Sequence, residues 1–376
     1  MNKLVSVIIP NYNSGVNIRR CLEAVYRSDY PEFEVVVVDD CSTDDSVEMI
    51  RNFPCRLVRL DRHSGASRAR NVGAQSSNGE ILFFMDSDCL VRENTLALAA
   101  RSIEDYSNIV VGGTYTALPA DDGFFSTFQS VFINYSETKD ERPDYVASHA
   151  MVIHRRLFDK SGGFPEDFLP ILEDVEFSHR LRRNGCELVM NPGILVRHIF
   201  NFTLKRSLKN AFRKAKFWTI YSMGNNDLMS DSGTASRELK INGVSFVASA
   251  LFLFLFVLSG KGGFLFGLLP VSLLNLLSSS RLIEAFYRTK GFCFACCATI
   301  YYMTLYPLAA GTGAVAGALQ YGAFAKALSN RTPPFTMPSP SGGEGPISSA
   351  LLKGVNNGAG DPSGPAGDRF GNSGEV

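Results

Sequence analysis

The sequence predicts an α/β fold for residues 1–230, built on a largely parallel sheet with helices on both faces, followed by an apolar helical region and a polar tail. Three observations carry this. The runs "VSVIIP" and "FEVVVVDD" are unbroken and rich in β-branched residues, the pattern of strands covered on both faces. Between them Ile18, Cys21, Leu22 and Val25 repeat at the i, i+3, i+4, i+7 spacing of a helix. Composition then changes twice, becoming strongly apolar from Ile241 and dominated by Gly, Pro and Ser from Thr332.

The alternation continues in chain order. "SVEMIRNF" reads as a helix, "CRLVRL" as a strand, "GASRARNVGAQSS" as a helix and "EILFFMDSD" as a strand, the order that yields parallel neighbours. Open sheets of this kind bind ligands outside the carboxyl ends of their strands. Polar residues gather at those ends. The first strand runs into Pro10, Asn11, Tyr12 and Asn13, the second into Asp39 and Asp40, and "EILFFMDSD" into Asp86, Ser87 and Asp88.

Lys plus Arg and Asp plus Glu are both 37, so no overall basic field argues for a nucleic-acid partner. The eight cysteines follow no framework spacing and read as reduced structural thiols. Cys293, Cys296 and Cys297 imitate a metal spacing, but they lie in an apolar stretch without a balancing ligand set and read as packing residues. The start, "MNKLVSVIIPNYN", is too short and too soon interrupted by Pro10 for a signal peptide, which leaves the front of the chain in the cytosol.

Residues 241–260, 262–280 and 291–319 are each near or above the roughly 20 residues a helix needs to cross hydrocarbon, so about three crossings are expected over 241–328. The second, interrupted by Pro270, also suits a buried helix or a re-entrant hairpin. Arg281, Arg288 and Lys290 in the last connector favour a cytoplasmic position, which predicts a multi-pass protein of the cell membrane with a cytoplasmic N-terminal domain and an outer tail. Near residues 202–222, six Lys and Arg residues from Lys205 to Lys216 mix with aromatic and apolar ones, suiting either an anionic membrane surface or a helix packed on the domain with a solvated basic face. The tail, 332–376, lacks apolar periodicity and reads as disordered.

A pair such as Asp86 and Asp88 at a strand end can place one oxygen on a hydrated divalent cation and leave the other for a sugar hydroxyl, and hard oxygen ligands with nucleotide phosphates suit Mn²⁺ or Mg²⁺. Alone, Asp-x-Asp equally suits an Asx turn or a helix N-cap before "RENTLALAA".

In the order "VSVIIPNYN", "VVVVDDCSTDDS", "GASRARNVGAQSSNGEILFFMDSD", "GGFPEDF" and "EDVEFSHRLRRNG", the chain resembles the family 2 glycosyltransferases over most of residues 4–200. The resemblance implies a GT-A fold, a Rossmann-like nucleotide-sugar-binding domain, and transfer of a hexosyl group from a UDP-, GDP- or dTDP-sugar with inversion at the anomeric carbon. It sets Pro10, Tyr12 and Asn13 beside the nucleotide, Asp39 and Asp40 at the base, Arg70 and Ser87 on the donor, and Asp86 and Asp88 at the metal and diphosphate, with His198 a further metal candidate. Asp174 is the implied catalytic base. Burial and the neighbouring Glu173 would raise its proton affinity, although both carboxylates also suit the start of a helix. Glu173 and His149 are acceptor-side candidates, and Gly162 and Gly163 a turn that lets backbone approach the cleft.

One departure bears on the product. Processive members usually carry Q/R-x-x-R-W near the membrane, where this chain has "LKNAFRKAKFW". That favours transfer of one sugar to a membrane-associated acceptor, such as a polyprenyl-linked intermediate, a glycolipid or a cell-surface polysaccharide precursor of envelope biosynthesis. A processive polysaccharide synthase and a catalytically silent nucleotide-binding membrane scaffold are the alternatives.

Overall fold

The computed structural model describes residues 3–103 and 108–329, so the expected tail lies outside the described residues. Among them, one sheet holds β1 (Val5–Asn11), β2 (Phe33–Asp39), β3 (Arg56–Arg59), β4 (Ile81–Met85), β5 (Cys89–Val91), β6 (Ile109–Tyr115), β7 (Ala150–His154) and β8 (Glu187–His198). Their spatial order is β3-β2-β1-β4-β7-β6-β8-β5. The helices of this part are α1 (Gly15–Val25), α2 (Ser46–Ile50), α3 (Ala66–Gln75), α4 (Thr95–Ser102), α5 (Phe124–Thr138), α6 (Arg155–Ser161), α7 (Glu173–Arg183) and α8 (Leu204–Asn225).

The expected parallel order holds for β3-β2-β1-β4. Beyond β4 the sheet is mixed, because β7 runs antiparallel to both β4 and β6, and β5 antiparallel to β8. Hydropathy does not encode this reversal, since β7 is as apolar and as buried as a parallel central strand. Side chains of β4 alternate between two cores. Phe83 joins Val7, Val37 and helix α1 on one face, while Phe84 joins Ile8, Met151, Phe158, Phe164 and Phe177 on the other. Each such phenylalanine contributes about 1.5–3 kcal/mol by burial, which anchors the strand whose end carries Asp86 and Asp88. Register pairs Asn11 with Asp39 and Ile8 with Phe84, so β1, β2 and β4 deliver their last residues to the same edge.

The C-terminal part comprises α9 (Arg237–Ser259), α10 (Gly263–Phe266), α11 (Leu268–Ser278), α12 (Ser280–Met303) and α13 (Leu305–Ser329). Among the described residues, Arg237–Ser259 and the run Ser280–Ala323 are long and apolar enough to cross a membrane. The middle stretch forms only the shorter apolar run Gly263–Ser278, which at about 1.5 Å per residue falls short of a bilayer core of about 30 Å. It folds back on α9 as a hairpin whose outer residues, such as Val257 at 78% and Phe266 at 73% exposure, face away from protein. At the base of this hairpin Asn275 Nδ2 donates to Asn242 Oδ1 at 2.9 Å, and Asn242 Nδ2 to the Tyr302 carbonyl at 2.7 Å, a buried polar clasp joining α9, α11 and α12.

The run from α12 to α13 is bent at Lys290 and Gly291 and packs on the sheet domain, α12 against α5 and α13 along α8. Two glycines make the second contact possible. A Cβ on Gly313 would lie 2.2 Å from the Phe212 carbonyl oxygen, and one on Gly317 2.4 Å from that of Lys216, so the two helices run side by side in the same direction at backbone contact. Gly313→Leu is therefore expected to cost about 1–3 kcal/mol by overpacking and to lower the Tm of the detergent-solubilised protein. Gly311→Leu, where a side chain meets nothing within 4 Å, should leave the Tm unchanged and serves as the control.

Candidate active site

At the first strand end Asn11 Nδ2 donates to Asp39 Oδ1 at 2.9 Å and to Ser42 Oγ at 3.1 Å, and the Ser42 amide donates to Asp39 Oδ2 at 3.2 Å. Asp39 is thus wholly buried and braces the turn after β2. Asp40 accepts from the Ser64 and Gly65 amides, each at 2.7 Å, and lies 2.9 Å from His63 Nδ1. Asn13 sits at a left-handed φ of 48°, its Oδ1 accepting the Thr43 amide at 2.8 Å. Pro10 precedes these residues on β1. Tyr12, 37% exposed, meets the His63 ring at a centroid distance of 4.2 Å, forming an aromatic shelf open to solvent. His63 was not singled out in the sequence, although it follows β3 and so obeys the same strand-end rule.

The two aspartates after β4 have different surroundings. Asp86 Oδ1 accepts from Arg70 Nη2 at 2.7 Å, and Arg70 Nη1 reaches Glu173 Oε1, also at 2.7 Å. Burial would raise the Asp86 pKa, yet the Arg70 guanidinium holds it below the usual carboxylate range. Arg70, only 3% exposed, therefore links the end of β4 to the start of α7. Ser87 Oγ bonds Ser14 Oγ at 2.9 Å and ties the same loop to α1.

Asp88 turns the other way, its Oδ1 3.4 Å from His198 Nε2 at the end of β8. Ligand atoms of Asp88, Cys89 and His198 lie within 4.8 Å of one another. Burial pushes the Cys89 thiol well up, so it stays protonated and is a poor ligand, and burial lowers His198, which favours the neutral imidazole that can donate a lone pair. A carboxylate with a neutral imidazole fits Mn²⁺ or Mg²⁺, leaving further positions for phosphate oxygens and water.

The third group lies at the start of α7. Leu172 adopts a left-handed φ of 75°, which turns Glu173 and Asp174 into the cleft at a cost of about 1 kcal/mol or more for a branched residue. Asp174 Oδ2 accepts the Ser148 amide at 3.1 Å and Oδ1 the Val175 amide at 2.9 Å. Burial, reinforced by the charge of Glu173, pushes Asp174 up to about 6. Behind it His149 is buried, stacked on Tyr115 at 3.9 Å and 3.4 Å from Glu137 Oε2. Burial alone would lower His149, but Glu137, Asp86 and Asp174 raise it. Gly162 and Gly163, at φ of 80° and 73°, form the turn whose neighbour Phe164 exchanges two 2.9 Å bonds with Asn71, beside Arg70. Glu137 stands outside any sequence motif, in the last turn of α5.

Arg70→Met removes the cation between Asp86 and Glu173. A loss of about 2–3 kcal/mol is expected by denaturant unfolding, less than for a fully buried pair because both carboxylates retain some contact with water.

Residues 6–161 match the family described as Glycosyl transferase family 2. The chain is 32% identical over 130 residues to the glycosyltransferase GlyG of Streptococcus pneumoniae, covering 33% of this chain and 43% of GlyG. It is 28% identical over 227 residues to the glycosyltransferase AglE of Haloferax volcanii, covering 57% of this chain and 74% of AglE. The mannosyltransferase PcManGT of Pyrobaculum calidifontis, solved with GDP-Man and Mn²⁺, shares the fold with a TM-score of 0.52 at 18% identity, over 85% of this chain and 87% of its own. The match therefore spans less than half of GlyG. With the family's signature over residues 6–161 and a GT-A sheet beneath it, this chain carries a family 2 glycosyltransferase domain.

Proposed function

We propose that this protein transfers a single sugar, with inversion, from a nucleotide sugar to an acceptor presented at a membrane surface. The observation that carries this is the convergence of two chemically distinct carboxylate sites, Asp88 with His198 and Asp174 with its raised proton affinity, joined through Asp86, Arg70 and Glu173. Tyr12 and His63 offer a shelf for the base, and the Asn11–Asp39–Ser42 turn keeps that shelf in place. Asp174 takes the proton of the acceptor hydroxyl as its oxygen forms a bond to the anomeric carbon and the bond from that carbon to the nucleoside diphosphate oxygen breaks on the opposite face. A divalent cation held by Asp88 and His198 would neutralise charge on the departing diphosphate. That PcManGT was solved with a nucleotide sugar and Mn²⁺ supports this reading of the donor side.

Membrane association draws support from the two long apolar helical runs and from the exposed apolar face of the α9–α11 hairpin, which suits a bilayer better than water. The exposed cations Lys205, Arg206, Lys209 and Arg213 of α8 suit anionic headgroups. We place the catalytic domain on the cytoplasmic side.

Purified full-length protein with Mn²⁺ and a panel of UDP-, GDP- and dTDP-sugars tests the proposal. A cognate donor should raise the Tm and be consumed when acceptor is added. Asp174→Asn should lower kcat by about 10²–10⁴-fold while the donor-induced shift persists. Because the base works only when ionised, kcat/KM should fall as pH drops through about 6. Glu173→Gln removes a charge that raises Asp174, so the same limb should move to lower pH. His198→Ala should weaken Mn²⁺ binding, followed by calorimetry with nucleoside diphosphate present, by about tenfold or more. If no donor is bound, hydrolysed or transferred and Asp88→Ala and Asp174→Asn change nothing, the enzyme reading fails, and long products in place of single additions would mark a synthase.

A further inference from the structure

Helix α8 buries one stripe against the sheet domain and α12: Ser207, Ala211, Trp218 and Tyr221, at helical spacings of four, seven and three residues. Ser207 Oγ accepts from Tyr301 at 2.8 Å, Trp218 packs against Tyr145, and Tyr221 meets His179 Nδ1 at 2.8 Å. Lys214 occupies the remaining place in that stripe, between Ala211 and Trp218. The other α8 cations have evident roles or face outward. Lys205, Arg206 and Lys209 are exposed, Lys216 lies over the Phe217 ring, and Arg213 reaches the Pro170 carbonyl. Among the described residues Lys214 has no hydrogen-bond or ion-pair partner, and it is only half-buried.

Its surroundings are those of the base. Phe217, Trp218, Ile220 and Tyr221 pack with Leu172 and Val175, which flank Asp174, and with Ala147, next to Ser148 whose amide holds Asp174. Burial lowers the Lys214 ammonium pKa, and the two carboxylates acting against this are Glu137 and Asp174, with neither Asp86 nor Asp88 among them. One helical turn before Phe217 and Trp218, Lys214 lies beside the packing around Leu172 and Val175, at the start of the helix that carries Asp174. A half-buried cation without an ion-pair partner gains when a ligand supplies its counter-charge.

We propose that Lys214 binds a phosphate group on the acceptor, so that the acceptor is anionic, and that a helix whose outer face carries membrane-suited cations turns this one inward to hold the acceptor's headgroup beside Asp174. This rests on the glycosyltransferase reading above and narrows its acceptor class. A neutral glycolipid would leave Lys214 unpartnered.

The test uses full-length protein in neutral detergent with Mn²⁺ and its donor, comparing wild type, Lys214→Met and Lys214→Arg. Transfer is measured to a polyprenyl diphosphate-linked sugar and to a neutral alkyl glycoside bearing the same sugar. Lys214→Met should raise KM for the phosphorylated acceptor about 10–100-fold, with donor KM changed less than about twofold and Lys214→Arg restoring most of the loss. A rise in donor KM instead, or equal use of the neutral acceptor by wild type, overturns the proposal. Binding is read independently of turnover, as the Tm shift produced by dodecyl phosphate or inorganic phosphate against dodecyl maltoside alone. A shift lost in Lys214→Met supports the proposal, larger with dodecyl phosphate for a lipid-borne acceptor and larger with inorganic phosphate for a soluble phosphorylated one. No shift in wild type, or the same shift in Lys214→Met, overturns it. Failure of the glycosyltransferase reading is separately visible as absence of any donor-induced shift.

Discussion

The Arg70 guanidinium is the constraint on which the rest of the cleft depends. It lies almost wholly buried between Asp86 and Glu173, residues that belong to two elements far apart in the chain, and bonds each of them at 2.7 Å. Two carboxylates brought together without it would repel and take up protons. With it, Asp86 stays ionised, the loop after β4 is drawn toward α7, and Asp88 is left to turn toward His198. Asp174, the neighbour of Glu173, is raised by burial and by that carboxylate even though the Arg70 charge acts to lower it. The cation on Asp86 and the burial of Asp174 beside Glu173 thus set opposite protonation tendencies in two acidic groups, the condition under which a single cleft can hold both a permanent anion and a proton acceptor.

How much of this was legible in sequence follows from the kind of information each feature carries. Strand ends are local, so Asp39, Asp40, Asp86 and Asp88 could be placed at one edge from the alternation of apolar and polar runs alone. Strand direction is not local, and β7 reads identically whichever way it runs. The division of labour within Asp-x-Asp was invisible because it is decided by partners 16 residues away at Arg70 and about a hundred residues away at His198. His63 obeyed the strand-end rule, but the shelf it makes with Tyr12 depends on how two loops fold together. Glu137 and Lys214 carry no motif. Both sit on helices at positions where apolar periodicity predicts burial, and a charge at such a position is the signal that could have marked them.

The helical region also departs from a simple tally of apolar stretches. Hydropathy counts residues that suit hydrocarbon but does not say which of them meet protein. The run from α12 to α13 spends part of its apolar surface on α5 and α8, whereas the α9–α11 hairpin keeps nearly all of its own outward. The buried Asn242–Asn275 clasp, through the Asn242 bond to the Tyr302 carbonyl, helps join those two unlike regions, since a pair of amides in an apolar setting has few other ways to be satisfied.

The glycine contact between α13 and α8 has a geometric corollary. Because Gly313 and Gly317 meet the carbonyls of Phe212 and Lys216 with no room for even a methyl group, the helices cannot slide past each other by one residue without driving an alanine into a carbonyl oxygen. α13 also touches α9. Lys214, set between those two contact points, therefore keeps a fixed height relative to the apolar hairpin. The cleft has a built-in depth gauge, and the distance from which it can draw an acceptor is set by two missing side chains.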